Sequence, residues 1–309
     1  MRGSEWSRMA SSTCGGTRVV FTVTAVPALT DWSPVSGVIR LAAARGGERL
    51  ASGELLGGSH YGDETGRLIQ VRWAEGQADA ARAIIDVVVR QAGPGTELHL
   101  TANAEEHERI DERLALFASC GFTLWQEKEG FWWADDGQEL PAPRGVIVRT
   151  LAEVGRDRYA EVIAACTAGT LDRIDADAIA SMGGGAAWAG AFIGAAARPD
   201  EEDIWFVIES SDGAAVGYVA VGAFDEDAVG TIMHIGVAGR HRGHGYVDQL
   251  LRLANRAARS RDWAGLLSDV DVENQPMLAA MARNGHRADA RRWHKWIYRR
   301  VRGAAGARS

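Results

Sequence analysis

The sequence predicts an α/β (α+β) protein of two domains, each a mixed, mostly antiparallel sheet flanked by helices. Three observations carry that prediction. The chain has 309 residues, about twice the length of a typical domain. Its order of strand-like and helix-like segments runs through once and then repeats. In the second half, one strand leads through a glycine-containing turn straight into a helix, an arrangement that gathers backbone N–H groups around an anion.

Composition bounds the function before any motif does. Hydrophobic residues make up 46% and charged residues 24% of the chain, which allows sizeable cores without disulfides or metal. The formal net charge of −7 argues against nucleic acid as the main partner, since that partner needs a surplus of Lys and Arg facing phosphates. A negative protein suits a cationic acceptor such as an amine. Cys14, Cys120 and Cys166 share no metal or redox spacing and are expected to be reduced thiols of a cytoplasmic protein. The opening MRGSEWSRMASSTCGG lacks the apolar stretch of a signal peptide. No segment reaches the roughly 20 apolar residues that span a membrane. Residues 1–17 are expected to form a flexible tail.

DGQELPAPRG, Asp136–Gly145, reads as a linker because prolines and glycines cluster between two strand-like blocks. It separates an expected domain at 18–135 from one at 146–301, with a short basic tail at 302–309. In the second half, strands are predicted at Gly145–Val148, Ile204–Ile208, Ala215–Ala223, Thr231–Val237, Leu266–Val270 and Trp293–Tyr298. Helices are predicted at Leu151–Ala165, onward through Ala180, at Tyr246–Arg259 and at Pro276–Arg283. The helix from Tyr246 gathers Leu250, Leu251, Leu253 and Ala254 on one apolar face.

The first half repeats this order. Strands are predicted at Arg18–Val26, Val38–Ala43, Glu48–Leu55, Leu68–Trp73, Leu98–Thr101 and Phe131–Trp133, with helices at Ala78–Gln91 and Ile110–Ser119. The step from Ala78 to Leu98 equals the step from Tyr246 to Leu266, 20 residues each. Between Trp73 and Ala78, however, the Arg/Gly-rich turn is missing. The pattern implies a divergent duplication with one ligand-competent half and one degenerate half.

The turn runs Val237-Ala238-Gly239-Arg240-His241-Arg242-Gly243-His244-Gly245-Tyr246-Val247, followed by Asp248-Gln249-Leu250-Leu251. Converging N–H groups and the positive end of a helix favour a phosphate there, and glycine lets the ligand approach the backbone. The run resembles the pyrophosphate motif of the GNAT superfamily, Q/R-x-x-G-x-G/A. Arg242 stands at its first position and Gly245 at its fourth. Val247 stands at the sixth, where glycine or alanine is usual, and Gly239 replaces a frequent proline. Asp271-Val272-Glu273-Asn274-Gln275-Pro276-Met277, with Gly285-His286 further on, is similar to the family's N-x-x-A…G-F segment.

That resemblance implies a tandem GNAT protein whose second half transfers an acetyl group from acetyl-CoA to a small primary amine, such as an amino sugar, an antibiotic or an amino-acid-like acceptor. It assigns coenzyme A contacts to Ile235 and Val237 through their backbone, to Arg242, Gly243, His244, Gly245, Tyr246 and Val247 around the turn, and to Asn274. Asn274 equally suits a helix cap ahead of Pro276. The first half would shape the acceptor site or stabilise the fold. A longer acyl donor, or a silent module that senses coenzyme A, fits the same motif. No metal or membrane is expected, and the chain should act as a monomer or homodimer.

Two groups usual in the family are absent. Met233 stands where the family often places a glutamate, and Met281 where it often places a tyrosine. A base must come from elsewhere, because acyl transfer to an ammonium requires removal of a proton. His234, on the strand before the turn, is one candidate and equally suits a structural histidine on an alternating strand. Glu226, in the acidic run Asp225-Glu226-Asp227, is another, and that run equally suits a solvated loop. Asp269 and Asp271 are further candidates. Trp188, Trp205, Trp293 and Trp296 could line an acceptor pocket or fill the core.

Overall fold

Residues of alternating polarity between turn-forming residues build both halves mainly from strands. The computed structural model describes residues 6–14, 17–27, 38–56, 67–92, 97–102, 109–224, 228–288 and 294–300. They fall into two units, one of Met1–Glu127 with Arg291–Ser309, the other of Lys128–Ala290.

In the first unit, β1 (Trp6–Cys14), β2 (Thr17–Pro27), β3 (Val38–Arg45), β4 (Glu48–Leu56) and β5 (Arg67–Trp73) pair antiparallel in succession. The helix α1 (Ala78–Ala92) then crosses to β6 (Glu97–Ala102), parallel to β5. Ala80, Ile84, Ile85 and Val88 of α1 recur at helical spacing and are buried in a core with Leu41, Leu68, Val71, Leu98 and Leu100. Next comes α2 (Ile110–Ser119). The expected tail is corrected here, because Trp6–Cys14 pairs along its whole length with β2. Its serines and small residues read as loop by composition, but a neighbouring strand satisfies their backbone groups.

In the second unit, β8 (Ile147–Thr150) is followed by three helices, α3 (Leu151–Thr167), α4 (Arg173–Ser181) and α5 (Gly185–Ala196). Then come β9 (Phe206–Glu209), β10 (Ala215–Ala223), β11 (Val229–Val237), α6 (Tyr246–Ser260), β12 (Gly265–Asp271), α7 (Gln275–Arg283) and the short β13 (Arg287–Ala288). Antiparallel pairs join β8 to β9, β9 to β10 and β10 to β11, and β11 runs parallel to β12. Tyr159 of α3 meets Tyr218, whereas a Cβ on the adjacent Gly217 would meet Leu250 of α6. Successive residues of a strand face opposite ways, so α3 and α6 cover opposite faces of this sheet.

The closing strands depart from the expected domain limits. Strand β7 is longer than Phe131–Trp133, spanning Phe122–Trp133, and its Lys128–Trp133 part pairs antiparallel with β12. Strand β14 (His294–Arg300), assigned by sequence to the second domain, pairs with β6 in the first unit. Each sheet is thus completed by a strand from the other half of the sequence. Local pattern marks a strand but not its partner, since pairing is decided by packing and cross-strand contacts. The expected linker is also stitched down. Three α6 residues hold it: Gln249 Oε1 accepts from Arg144 N–H at 2.8 Å, Arg256 Nη1 donates to the Leu140 carbonyl at 3.2 Å, and Arg259 Nε donates to Asp135 Oδ2, just before the linker, at 2.6 Å. Among the described residues, no single helix is long and apolar enough to cross a membrane.

One buried group makes this unit pH-sensitive. His286 is 1% exposed, its Nε2 is 3.0 Å from Asn255 Oδ1, and burial lowers its pKa from 6.5 to about 4. The unfolded imidazole binds a proton more readily, so the stability from this site is complete above 6.5 and is lost as pH falls towards about 4. The loss should reach on the order of 3 kcal/mol. Urea unfolding at pH 7 and near pH 4 should reveal it, and His286→Phe should flatten that dependence while costing ~1–3 kcal/mol through the lost bond to Asn255 Oδ1. An unchanged pH slope in the variant would assign it to other groups.

Candidate functional site

Strand β11 has two unlike edges. Along one it pairs with β10 from Gly230 to Val237, with a register shift that leaves Met233 as the extra residue of a bulge between Ile232 and His234. Along the other it pairs with β12 only at Val229, Thr231 and the residue between. From Ile232 to Val237 that edge has no strand partner among the described residues, while β12 continues beside β7 as far as Asp271. Two parallel strands that part while both continue leave a wedge-shaped slot. Backbone groups on the Ile232–Val237 edge, apart from the Val237 carbonyl that Arg242 engages, are then available to an extended ligand.

The slot leads to the start of α6. After Val237 the chain makes a short 3₁₀ turn, Gly239–His241, and enters α6 at Tyr246. Gly243 and Gly245 have φ of +80° and +76°, the left-handed region that favours glycine. A Cβ at Gly243 would meet nothing within 4 Å, and one at Gly245 only the Asp248 carboxylate at 3.8 Å. The turn is therefore an open concavity rather than a packed one. It has no side-chain cap, so the first N–H groups of α6 face it without one. A groove of about 440 Å³ continues past Gly245 between Pro141–Arg144 and the Asp248–Arg252 stretch of α6.

Arg242 holds this turn in place. Its guanidinium donates to four carbonyls, Val237 at 3.0 Å, Gly169 at 2.8 Å, Cys166 at 3.0 Å and Ala168 at 2.9 Å. It thereby ties the carboxyl end of α3 to the end of β11. Four of its five N–H groups are thus engaged within the protein, so the side chain serves the turn itself. Burial pushes the nearby Cys166 thiol up to about 12, partly offset by Arg242, so that cysteine stays protonated and inert.

His234 lies on the α3–α5 side of β11, level with Ala220. Its Nδ1 is 2.6 Å from the Tyr218 hydroxyl and its Nε2 is 2.8 Å from Asp175 Oδ2. An ionised Asp175 accepts from Nε2–H, which leaves Nδ1 to accept from the tyrosine. Trp188 and Phe192 stack on each other and meet the imidazole edge-on, at 4.9 and 5.6 Å between ring centroids. Trp205 stacks behind Phe192. Both tryptophans are fully buried, so they form the wall behind His234 rather than an open pocket lining.

A second charged group ties α4 to the sheet. Lys128 Nζ lies 2.8 Å from Asp172 and 2.9 Å from Asp269, on side chains at most 24% exposed. Burial disfavours its charge, but the two carboxylates outweigh that and raise its pKa, so it stays an ammonium. Asp172 also caps α4, accepting from the N–H groups of Ile174 and Asp175.

The structure therefore brings Ile235, Val237, Gly243, His244, Gly245, Tyr246 and Val247 into one run of slot, turn and helix start. Asn274 Oδ1 accepts from Met277 N–H and caps α7, its structural reading. Glu226, its acidic neighbours and Trp293 lie outside the described residues. Trp296 packs in the core of the first unit. Sequence reasoning did not find Tyr218, Asp175, Asp172 or Lys128, which stand 16, 59, 62 and 106 residues from His234 and form no local motif. Among the described residues, no cluster of His, Cys, Asp or Glu is arranged to hold a metal ion.

Comparison with known proteins bears on the fold. Residues 182–286 match the family model of the acetyltransferase (GNAT) family. No curated protein matches the chain. Its structure is similar to a GCN5-related N-acetyltransferase from Sphaerobacter thermophilus, at 16% identity over 87% of this chain and 82% of that one, with a TM-score of 0.59. It is also similar to a tandem GNAT protein from the clavulanic acid biosynthesis pathway, at 17% identity over 86% and 82% of the two chains, TM-score 0.54. A GNAT-family acetyltransferase from Colwellia psychrerythraea matches at 11% identity over 84% of each chain, TM-score 0.51. At such identities the likeness shows a shared fold.

Proposed function

We propose, from the premise that this chain carries an acyltransferase domain of the GNAT family, that its second unit transfers an acetyl group from acetyl-CoA to the primary amine of a small molecule. The observation that carries this reading is the continuity of the slot beside Ile232–Val237 with the open glycine turn at Gly243–Gly245. Acetyl-CoA, when bound, supplies an activated thioester. The chain's part is to bind, orient and move a proton. N–H groups from Gly243 to Val247 would hold the pyrophosphate at the positive end of α6. Backbone groups of Ile235 and Val237 would hold the extended arm in the slot, and the groove between Arg144 and Arg252 suits the nucleotide end. His234 and Asp175, 2.8 Å apart, would take the proton that the acceptor ammonium must lose before it attacks.

The first unit is read as a degenerate copy that binds none. Its parallel pair also stops after Ile69 and His99, so a similar parting of strands is present. Between Trp73 and Ala78, however, the turn has four residues, against eight between Val237 and Tyr246. The end of β5 is also engaged internally. Arg109 Nη1 donates to the Trp73 carbonyl at 3.0 Å, and the Trp73 indole N–H to Glu112 Oε1 at 3.0 Å. One coenzyme A per chain is expected by calorimetry, and two equivalents would overturn the degenerate reading.

The direct test is release of free coenzyme A from acetyl-CoA in the presence of a panel of amino sugars, aminoglycosides and amino acid amides. Turnover with at least one primary amine is expected. Turnover only with longer acyl donors would change the donor. Tight coenzyme A binding without turnover of any donor would point to a sensor instead.

A further inference from the structure

The slot between β11 and β12 is crossed on its α4 side by the first turn of that helix, held by three separate links. Lys128 joins Asp269 of β12 to Asp172 at the α4 cap. Arg173 pairs with Glu273, just after β12. Asp175 bonds His234 of β11. The helix turn thus bridges the two strands where they part, and Asp172 fixes it further by accepting from the Asp175 N–H at 3.3 Å.

Both ring nitrogens of His234 are engaged, Nδ1 with Tyr218 and Nε2 with Asp175. Tyr218 is fully buried, whereas the Asp175 side chain retains 14% exposure. Only Oδ2 of Asp175 is committed, and Oδ1 has no partner among the described residues. Lys128 and Arg173 are already bonded to other carboxylates and leave this oxygen unmatched.

We infer that Asp175 is the group that meets the acceptor ammonium, with Oδ1 as the point where its proton enters the Asp175–His234 pair. This rests on the amine-acetyltransferase reading above. The ammonium N–H bond breaks and the proton adds to the pair, whose net charge goes from minus one to zero while the amine becomes neutral. Tyr218 positions the imidazole from its far side, and the Lys128 link positions the helix turn. The carboxylate that acts is therefore delivered by α4, not by the strand residue Met233.

The test compares an aliphatic amine from the panel, cationic at neutral pH, with O-methylhydroxylamine, which is neutral there. Asp175→Asn keeps a bond to His234 but removes the charge. Its affinity for the aliphatic amine, by calorimetry on coenzyme-A-saturated protein, should fall at least tenfold, and kcat/KM at least as far. Turnover of O-methylhydroxylamine should stay within about twofold and acetyl-CoA affinity should not change. Asp175→Glu should restore amine affinity in part, which guards against a folding defect. Equal losses for the two acceptors, or no loss for either, would overturn the assignment while leaving the acetyltransferase reading intact. A wild-type protein that acetylates no amine would overturn both.

Discussion

His234→Ala should lower kcat/KM for the amine by about 10²–10⁴-fold, the usual contribution of a positioned general base. The substitution removes the side chain that links β11 to Asp175. It leaves the backbone of the Ile232–Val237 edge in place, and the proposed contact with the coenzyme A arm is to that backbone. Acetyl-CoA affinity should therefore stay within about threefold of wild type. His234→Gln separates chemistry from packing. Its amide can still bridge Tyr218 and Asp175 and fill most of the space beside Trp188 and Phe192, but it cannot accept a proton at neutral pH. Both variants should be slow, and the glutamine variant should unfold nearer the wild-type temperature. Steady-state kinetics with near-normal turnover in a folded His234→Ala protein would remove His234 from the mechanism.

Gly245→Glu should weaken acetyl-CoA binding at least tenfold, a loss of about 1.4 kcal/mol or more. Two effects add. A side chain at φ +76° strains the entry to α6, and a carboxylate enters the concavity where the pyrophosphate would sit, close to the existing Asp248. Gly245→Asn tells them apart, since asparagine tolerates the left-handed conformation and adds no charge. Calorimetry should rank wild type above asparagine and asparagine well above glutamate. Wild-type affinity in a folded glutamate variant would mean that the turn does not hold the cofactor.

Which parts of this site can be read from a chain depends on how local the physics is. The turn was legible because strand, glycines and helix start are adjacent, and each constrains the same few backbone torsions. The start of α6 at Tyr246 and of α1 at Ala78 follow from apolar spacing and fall where the sequence placed them. Arg242 looked like a ligand contact, yet its guanidinium is committed to four carbonyls, three of them more than 70 residues away. No spacing rule carries that information. Asn274 went the other way, since its cap is a local bond that Pro276 already signalled.

The sequence by itself determined the run of strand, glycine turn and helix from Val229 to Ser260, the absence of such a turn between Trp73 and Ala78, and the presence of Met233 and Met281 at the positions that the family resemblance assigns to glutamate and tyrosine. Those properties depend on residue type and on neighbours a few positions apart. Only the tertiary structure decided which strand closes each sheet, with β14 beside β6 and Lys128–Trp133 beside β12. It also decided that His234 is joined to Asp175 and Tyr218, and that Lys128 holds the helix turn carrying Asp175. These are contacts between chemically ordinary residues far apart in the chain. A strand edge accepts any strand of suitable register, and a carboxylate gains its role only from what folding places beside it.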